Sequence, residues 1–291
     1  MRPDLVLIDG LVRAALLEDA PWGDLTSQLI IPAEARVVAS LVARAPGVLC
    51  GQDVFAAAMR LTDAAITTRF LVEDGTRFAG GDVLAEVEGP ARGVLQGERV
   101  ALNFTQRLSG IASLTAEYVS ETTGTRARIV DTRKTTPGLR VLERYAVRCG
   151  GGHNHRFSLS DAVLVKDNHL AILVASGTKD VTEALRAVRQ QMPHTAHLEA
   201  EVDRLDQIEA VVAAGVGTIL LDNFSLDDLR TGVQMVGGRA LVEASGGVRL
   251  ERVRAIAETG VDLISVGALT HHGGWIDLGL DIAQAVRLQI N

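Results

Sequence analysis

Apolar and polar residues alternate over short segments near the start of the chain. Three β segments are predicted there, at residues 36–44, 66–72 and 82–87. Turn sequences such as Ala45-Pro46-Gly47 and Glu73-Asp74-Gly75 separate these segments. Helical patterns lie before and between them, at residues 5–17 and 51–61. Together these elements predict an α+β domain with a mainly antiparallel sheet.

A longer helical pattern follows at residues 97–120. Its apolar stripe consists of Val100, Phe104, Leu108 and Ile111. Another face repeats the polar residues Arg99, Asn103 and Arg107 at helical spacing. A face of this kind is either a solvated surface or a surface that binds an anion or a partner subunit, and the pattern alone leaves both interpretations open.

The remainder of the chain alternates between strand and helix patterns. Strands are predicted at residues 127–131, 162–166, 198–202, 218–222, 240–244 and 263–267. Helices are predicted at residues 181–191, 204–214, 226–236 and 250–259. The strands are almost continuously Val, Ile and Leu, as expected for parallel strands buried on both faces. This alternation predicts an α/β barrel that is incomplete, unless a strand is unrecognised.

Composition limits the class of protein. The chain has 291 residues, of which 47% are apolar, so it can form the core of one large domain or two modest ones. Its longest uncharged apolar stretch, residues 210–221, has twelve residues, whereas a membrane span needs about 20. Two cysteines are too few for a disulfide framework or a four-thiolate metal site. Since no secretory signal is recognisable, the sequence predicts a cytoplasmic protein without a membrane span.

Charge is unevenly distributed. The net charge of −7 and the small number of aromatic residues argue against nucleic-acid binding. Residues 126–166, however, carry nine Lys or Arg and only three acidic residues. This segment is either a solvated basic surface or the binding region for a small anion. Only three lysines occur among 29 basic residues, and two of them, Lys134 and Lys166, lie in dense polar motifs. This placement reflects either a specific need for lysine in the site or chance.

Polar or glycine-rich clusters follow every predicted barrel strand. They comprise residues 131–134, 166–169, 199–201, 222–223, 243–247 and 267–270. Active sites of α/β barrels lie at the carboxyl ends of the strands, so these clusters predict one common site.

The residue types in this site indicate its ligands. The cations are Arg133, Lys134, Arg156 and Lys166, and the carboxylates are Glu201 and Asp222. Backbone N–H groups for a phosphate are expected at Ser245, Gly246, Gly247 and Gly267. Carboxylates beside a phosphate suggest ribose hydroxyls or hydrated Mg²⁺, and the cations suggest a second substrate with carboxylates. The site is therefore predicted to hold a sugar phosphate together with an acid.

Other chemistries are weaker interpretations. His153 and His155 resemble a metal pair, but they follow three glycines instead of a strand, and no further ligand spacing supports a histidine-bound metal. Lys166 at a strand end could form a Schiff base as in barrel aldolases, which stays open as an enzymatic alternative. A glycosidase pair of carboxylates would leave the cations unexplained.

Several motifs, in order along the chain, carry a resemblance to a known family. They are E-R-V-A-L-N at 98–103, Q-R-L-S-G-I at 106–111, D-T-R-K-T-T-P-G-L-R at 131–140, the triple glycine with N-H-R inside 146–156, V-K-D-N-H at 165–169, E-A-E at 199–201, L-L-D-N-F at 220–224, E-A-S-G-G at 243–247 and S-V-G-A-L-T-H at 265–271. Nearly the whole chain thus resembles the quinolinate phosphoribosyltransferase family, also called nicotinate-nucleotide pyrophosphorylase (carboxylating). A related molybdenum-transport-associated group shares parts of these motifs and is the alternative within the same fold.

The resemblance implies a fold and a reaction. The expected fold is an N-terminal open-faced α/β sandwich over residues 1–112, followed by an incomplete α/β barrel over residues 113–291. The expected enzyme is a pentosyltransferase of NAD biosynthesis that uses Mg²⁺. It would join quinolinate to phosphoribosyl pyrophosphate and release pyrophosphate and CO₂, giving nicotinate mononucleotide.

The resemblance also implies roles for individual residues. Arg133, Arg156 and Lys166 would bind the quinolinate carboxylates, with Thr132 and His155 nearby. Lys134, Glu201 and Asp222 would face the ribose, pyrophosphate and Mg²⁺, the metal being held through water or substrate. The 5′-phosphate would lie on Ser245, Gly246, Gly247 and Gly267. Arg99 would reach into the site of a neighbouring subunit, so a homodimer with shared sites is expected, and further assembly is left open.

Overall fold

The computed structural model describes residues 2–177 and 180–286 and contains two compact units. The first unit comprises residues 2–116, 137–151 and 272–286. The second comprises residues 117–136 and 152–271, apart from residues 178–179. These units do not coincide with a linear division at residue 112, because residues 137–151 and 272–286 pack with the first unit. The division into 1–112 and 113–291 stays a prediction.

The helices and strands follow one another in a defined order. The earlier elements are α1 (Leu5–Asp19), α2 (Leu25–Ile30), β1 (Arg36–Ala43), β2 (Gly47–Val48), α3 (Gln52–Thr62), β3 (Thr67–Phe70), β4 (Arg77–Phe78), β5 (Val83–Pro90) and α4 (Ala91–Ser120). The later elements are β6 (Arg128–Val130), α5 (Arg140–Cys149), β7 (Val163–Val165), α6 (Asp167–Ala175), α7 (Val181–Gln191), β8 (Leu198–Val202), a 3-10 turn (Leu205–Gln207), α8 (Ile208–Ala213), β9 (Thr218–Asp222), α9 (Leu226–Val236), β10 (Leu241–Ser245), α10 (Leu250–Ala257), β11 (Leu263–Ser265), α11 (Ala268–His271) and β12 (Leu278–Val286). No described helix has the length and apolar character needed to span a membrane.

The first unit contains a four-stranded sheet in the order β12-β1-β5-β3, with every neighbouring pair antiparallel. Alternate residues of β1 are buried, as expected for a sheet with one face on the core. Phe55 of α3 packs edge-to-face on Phe70 of β3, with ring centroids 5.7 Å apart. The predicted antiparallel sheet is confirmed, and β12 adds an edge strand that the sequence pattern did not indicate.

Helix α4 begins earlier than the predicted residue 97, directly after β5. Gly93 and Gly97 resemble helix breakers in the sequence, but they bring α4 close to the helix α3 region. A Cβ on Gly97 would lie 3.2 Å from the Ala58 carbonyl oxygen, and one on Gly93 would lie 2.9 Å from the Asp63 Cβ. Close helix packing therefore outweighs the low helix propensity of glycine here.

Of the three polar residues on α4, Arg107 has a structural role. Its guanidinium pairs with the fully buried Glu143 of α5 at 3.1 Å and also donates to the Gly273 carbonyl oxygen. Arg99 and Asn103 are exposed on the same helix. The sequence left open whether this face binds a ligand or faces solvent. In the structure, the Arg107 guanidinium is bound to Glu143 and Gly273 and does not lie exposed on that face.

The second unit contains six parallel strands in the order β6-β11-β10-β9-β8-β7. All six predicted barrel strands are confirmed, and strands β8 and β9 begin and end where the sequence places them. Among the described residues β6 does not pair with β7, so the sheet remains an open, partial barrel. The predicted helix at 204–214 is shorter, because a 3-10 turn occupies its first part before α8.

Candidate active site

A cavity of about 460 Å³ opens at the carboxyl ends of the six parallel strands. It is lined by Thr132, Arg133, Lys134, His155, Arg156, Leu164, Lys166, Glu201, Leu220, Asp222, Glu243, Ser245 and Ser265. A larger cavity of about 580 Å³ lies beside α6, but its lining is mostly Ala, Leu and Val and carries fewer groups for catalysis. The cavity at the strand ends is therefore the candidate active site.

The first cations of the cavity lie in the loop after β6. The Lys134 N–H donates to Thr132 Oγ1 at 3.1 Å, and the Lys134 carbonyl accepts from Thr270 Oγ1 at 2.6 Å. The Thr135 N–H also donates to the Arg133 carbonyl at 2.9 Å. These bonds fix the loop backbone, so the side chains of Arg133 and Lys134 start from defined positions.

The other two cations interact with their surroundings differently. Arg156 donates from Nη1 to the Ala162 carbonyl at 2.9 Å. Burial lowers the pKa of Arg156, and the positive charge of Arg133 lowers it further. The two guanidinium groups are therefore close enough to repel each other. Lys166 donates from Nζ to Glu201 Oε2 at 2.8 Å. The paired guanidinium groups therefore form a region that favours an anion carrying more than one negative charge.

Glycines shape the opposite side of the cavity. Asn223 follows β9 with a left-handed φ of 59°, and its side chain donates to Asp222 Oδ2 at 2.7 Å. Gly246 has a φ of 95°, and a Cβ there would lie 2.2 Å from Asn223 Oδ1. Only glycine fits this turn, which follows Ser245 at the end of β10. The glycine thus leaves room for the Asn223 side chain against the turn after β10.

Gly267 is constrained in a similar way after β11. A Cβ there would lie 3.2 Å from the Lys134 Cδ and 3.2 Å from His271 Nε2. The glycine therefore leaves room for the Lys134 side chain next to the cavity. This contact brings the β6 and β11 ends of the site together.

His155 lies in a hydrogen-bond network beneath the cavity. Its backbone N–H donates to the buried carboxylate of Asp131 at 2.8 Å, and its Nδ1 accepts from the Arg156 N–H at 2.8 Å. Its Nε2 lies 3.0 Å from Glu199 Oε2 and 3.8 Å from Glu243 Oε1. Because Nδ1 accepts a hydrogen bond, the proton of the ring is on Nε2 and is donated to Glu199.

The position of the His155 ring proton affects whether this residue can bind a metal ion. One ligand atom each of His155, Glu199 and Glu243 lies within 4.8 Å of the others, a spacing that could hold a metal ion. A metal would need the Nε2 lone pair, whereas Nε2 carries a hydrogen in this network. The Glu199 bond and the Glu243 charge raise the pKa of His155 against the opposing effect of burial, but a second ring proton would face the Arg156 N–H. The network is therefore a neutral imidazole between two glutamates.

Glu243 is the most deeply buried glutamate in this network. Its side chain is 1% exposed, and burial together with the charge of Glu199 raises its pKa to about 7. The sequence places Glu199 and Glu243 in the strand-end clusters of the predicted site, but no individual role was predicted for either residue. The signal was available in the spacing, since Glu199 lies two residues before Glu201 and Glu243 two residues before Ser245, on the same strand faces.

Replacing Glu243 by Gln should make protein stability less dependent on pH. A carboxyl with a pKa raised by folding is protonated in both states well below pH 4.5, and the folded state loses stability as the pH rises from about 4.5 to about 7. Relative to wild type, Glu243→Gln should therefore gain up to about 3 kcal/mol in the free energy of unfolding between pH 5 and pH 8. Urea unfolding at the two pH values measures this gain.

The matched control is Glu34→Gln, which changes an exposed glutamate of the first unit. Its difference from wild type should be the same at both pH values, because an exposed carboxyl has a similar environment in both states. An equal difference at pH 5 and pH 8 for Glu243→Gln would contradict the assignment of a buried, proton-binding carboxyl.

The structure brings most of the predicted site residues to one cavity. Nine of them line it: Thr132, Arg133, Lys134, His155, Arg156, Lys166, Glu201, Asp222 and Ser245. Gly246 and Gly247 directly follow Ser245, and Gly267 contacts Lys134. Arg99 lies in the first unit, exposed on α4, and is not a lining residue.

Comparison with known proteins agrees with this fold. Residues 24–109 match "Quinolinate phosphoribosyl transferase, N-terminal domain", and residues 111–281 match the C-terminal domain of the same description. The chain belongs to the quinolinate phosphoribosyltransferase family. The resemblance drawn from the motifs is thereby confirmed.

Individual relatives of this family are similar over nearly their whole length. The nicotinate-nucleotide pyrophosphorylase [carboxylating] of Mycobacterium leprae is 46% identical, covering 93% of this chain and 95% of its own. The probable enzyme of the same name from Bacillus subtilis is 42% identical, covering 94% and 92%. The crystal structure of NadC from Streptococcus pyogenes is 39% identical, with a TM-score of 0.93 over 99% of this chain and 100% of its own.

The geometry of this family member disfavours a Schiff-base aldolase. A Schiff base needs the free amine of Lys166 as nucleophile. The Lys166 Nζ instead donates a hydrogen bond to Glu201 Oε2 at 2.8 Å. The lysine is thus suited to binding an anion near the cavity wall.

Proposed function

We propose that this chain is a decarboxylating quinolinate phosphoribosyltransferase of NAD biosynthesis. It joins quinolinate to phosphoribosyl pyrophosphate and releases pyrophosphate and CO₂, forming nicotinate mononucleotide. The observation that carries this proposal is one cavity that combines the cations Arg133, Arg156 and Lys166 with the carboxylates Glu201 and Asp222. The names of the relatives support this activity over a transport-associated role.

The cations bind the acid substrate. Arg133 and Arg156 each offer a planar fork to a carboxylate, and their mutual repulsion falls when a dianion lies between them. Lys166 supplies a third positive charge, and Thr132 a hydroxyl. His155 acts as a positioning residue, because its Nδ1 holds the Arg156 backbone while its Nε2 is bound to Glu199.

The opposite side binds phosphoribosyl pyrophosphate. Backbone N–H groups of Ser245, Gly246, Gly247 and Gly267 hold the 5′-phosphate, and Lys134 faces the pyrophosphate. Glu201 and Asp222 offer the carboxylate oxygens that Mg²⁺ prefers, so they fit a metal held through water or substrate. When bound, Mg²⁺ neutralises charge on the pyrophosphate leaving group.

The reaction needs no nucleophile from the protein, because the quinolinate nitrogen is the nucleophile. The protein's task is to position the two substrates. The quinolinate nitrogen forms a bond to the anomeric carbon while the bond from that carbon to pyrophosphate breaks. Glu201 and Asp222 stabilise the positive charge that develops on the ribose ring. Loss of CO₂ then leaves an electron pair on the carbon beside the quaternary nitrogen, and this carbon takes up a proton. Fixed cations hold both substrates in the geometry for the first step.

The direct test incubates the purified chain with quinolinate, phosphoribosyl pyrophosphate and Mg²⁺. Nicotinate mononucleotide, pyrophosphate and CO₂ should form in equal amounts, and chelation of Mg²⁺ should stop the reaction. If quinolinate binds but no mononucleotide appears, the chain is a binding protein and the proposed activity is wrong.

Asp222→Asn should lower kcat by at least about a hundredfold, because it removes a charge that stabilises the developing cation. The matched control is Asp227→Asn, which changes a carboxylate that is 94% exposed at the start of α9. Steady-state assays of both variants, with a thermal melt to verify folding, measure the difference. Equal activity of the two variants would remove Asp222 from the reaction.

The proposed active unit is a homodimer in which Arg99 of one subunit completes the site of the other. A cytoplasmic location and the absence of nucleic-acid partners stay predictions from the sequence.

A further inference from the structure

Cys50 and Cys149 of the first unit lie together, although they are far apart in the sequence. Cys50 precedes α3 and is fully buried, whereas Cys149 ends α5 and is partly exposed. The two Sγ atoms and a carboxylate oxygen of Asp74 lie within 4.8 Å of one another. None of these three residues lines the candidate active site.

The same helix holds both cysteines in place. The Cys50 N–H donates to Ser109 Oγ of α4 at 3.1 Å, and this hydroxyl lies 3.3 Å from the Cys50 carbonyl oxygen. Gly150, next to Cys149, packs so closely on α4 that a Cβ would lie 2.3 Å from the Ala112 carbonyl oxygen. Ser109 and Ala112 are three residues apart on one face of α4, so the backbone packing itself brings the thiols together.

The neighbours of the thiols do not favour a metal site. Asp74 Oδ1 accepts from the N–H groups of Gly51 and Gln52 at 3.0 and 3.2 Å, and its Oδ2 accepts from the Tyr145 hydroxyl at 2.9 Å. The carboxylate is thus engaged in holding the start of α3. Among the described residues the cluster offers three ligand atoms, whereas a structural zinc site takes four.

The two thiols have different reactivity. A hydrogen bond from Cys50 lowers the pKa of Cys149 and outweighs the effect of its burial. Burial is the main cause that raises the pKa of Cys50. Cys149 is therefore the more acidic and the more exposed thiol, and Cys50 is the less acidic, buried partner beside it.

We propose that Cys149 and Cys50 form a peroxide-sensitive dithiol that closes to a reversible disulfide. The Cys149 thiolate attacks one oxygen of hydrogen peroxide, the O–O bond breaks, and hydroxide leaves and takes up a proton to give water. The resulting sulfenic acid is attacked at sulfur by Cys50, which forms the S–S bond and releases a second water. Two thiols are oxidised and one peroxide is reduced to two waters.

The test uses the full chain and needs no enzymatic assay. Treatment with a small excess of hydrogen peroxide should reduce the two titratable thiols to none and lower the intact mass by two hydrogens. Digestion should then yield one peptide pair linked through Cys50 and Cys149 within a monomer mass, and dithiothreitol should restore both thiols. Retention of both thiols, or disulfides only between chains, would overturn the proposal.

Two matched variants test the order of the steps. In Cys50→Ser the sulfenic acid at Cys149 has no partner, so dimedone should label Cys149. In Cys149→Ser the buried Cys50 should react at least about tenfold more slowly with the same peroxide. Faster oxidation of Cys149→Ser than of Cys50→Ser would show that the roles are wrong, and circular dichroism of both variants verifies that they are folded. The result on the wild-type chain stands even if a variant does not fold.

Discussion

Nicotinate should be used at least about a thousandfold less efficiently than quinolinate, measured as kcat/KM with phosphoribosyl pyrophosphate and Mg²⁺. The reason lies in Arg133, Arg156 and Lys166, which provide more positive charge than one carboxylate can balance. Burial and the positive charge of Arg133 both lower the pKa of Arg156, so the two guanidinium groups repel each other. A second carboxylate relieves this repulsion, whereas nicotinate supplies only one negative charge to this cationic region.

A variant separates this cause from general weakening of the site. Arg156→Ala should reduce kcat/KM for quinolinate much more than for nicotinate, so the preference between the two acids should shrink. Arg230→Ala, which changes an exposed arginine on α9, should leave the preference unchanged. Comparable use of nicotinate by the wild-type chain would refute the role of the cations in choosing the acid.

Elements with a strong local pattern were predictable. Strands β8 and β9 and helices α7 and α9 have the bounds that the sequence indicates, because each combines a clear period with local start and stop signals. Strand β12 was missed, since its residues Leu278–Val286 include Asp, Gln and Gly, which have low strand propensity. Strand β12 forms by pairing with β1, which lies near the other end of the chain. The local sequence of β12 gives no indication of this pairing.

In the candidate site too, features set by the local sequence were predictable and features set by tertiary packing were not. The strand-end rule predicted that Arg133, Lys166 and Asp222 would meet, because parallel strands bring their carboxyl ends to one edge. The state of His155 was not predictable. It depends on the hydrogen bond from the Arg156 N–H to His155 Nδ1 and on the burial of Glu199 beside Nε2. Both are determined by tertiary packing of the barrel.

Mixing Arg99→Ala with Lys134→Ala subunits should restore about a quarter of the wild-type activity, although each variant alone is inactive. Arg99 is exposed on α4 in the first unit, whereas Lys134 lines the cavity of the second. Under the proposed shared site, each pure dimer lacks one cation in both of its sites. Neither change should unfold the chain, because both side chains are exposed and an exposed charge adds little stability.

The expected recovery follows from the statistics of subunit exchange. At equal concentrations about half of the dimers are mixed. In each mixed dimer one site lacks both cations, and the other combines an intact Lys134 with the partner's intact Arg99. One active site of two in half of the dimers gives about a quarter of full activity. Labelled subunits must first demonstrate that exchange has occurred, and Arg13→Ala on α1 in place of Arg99→Ala serves as a control for mutation of an exposed arginine. If exchange is complete and activity remains at zero, Arg99 acts within its own chain, because a shared site must regain function in the mixed dimer.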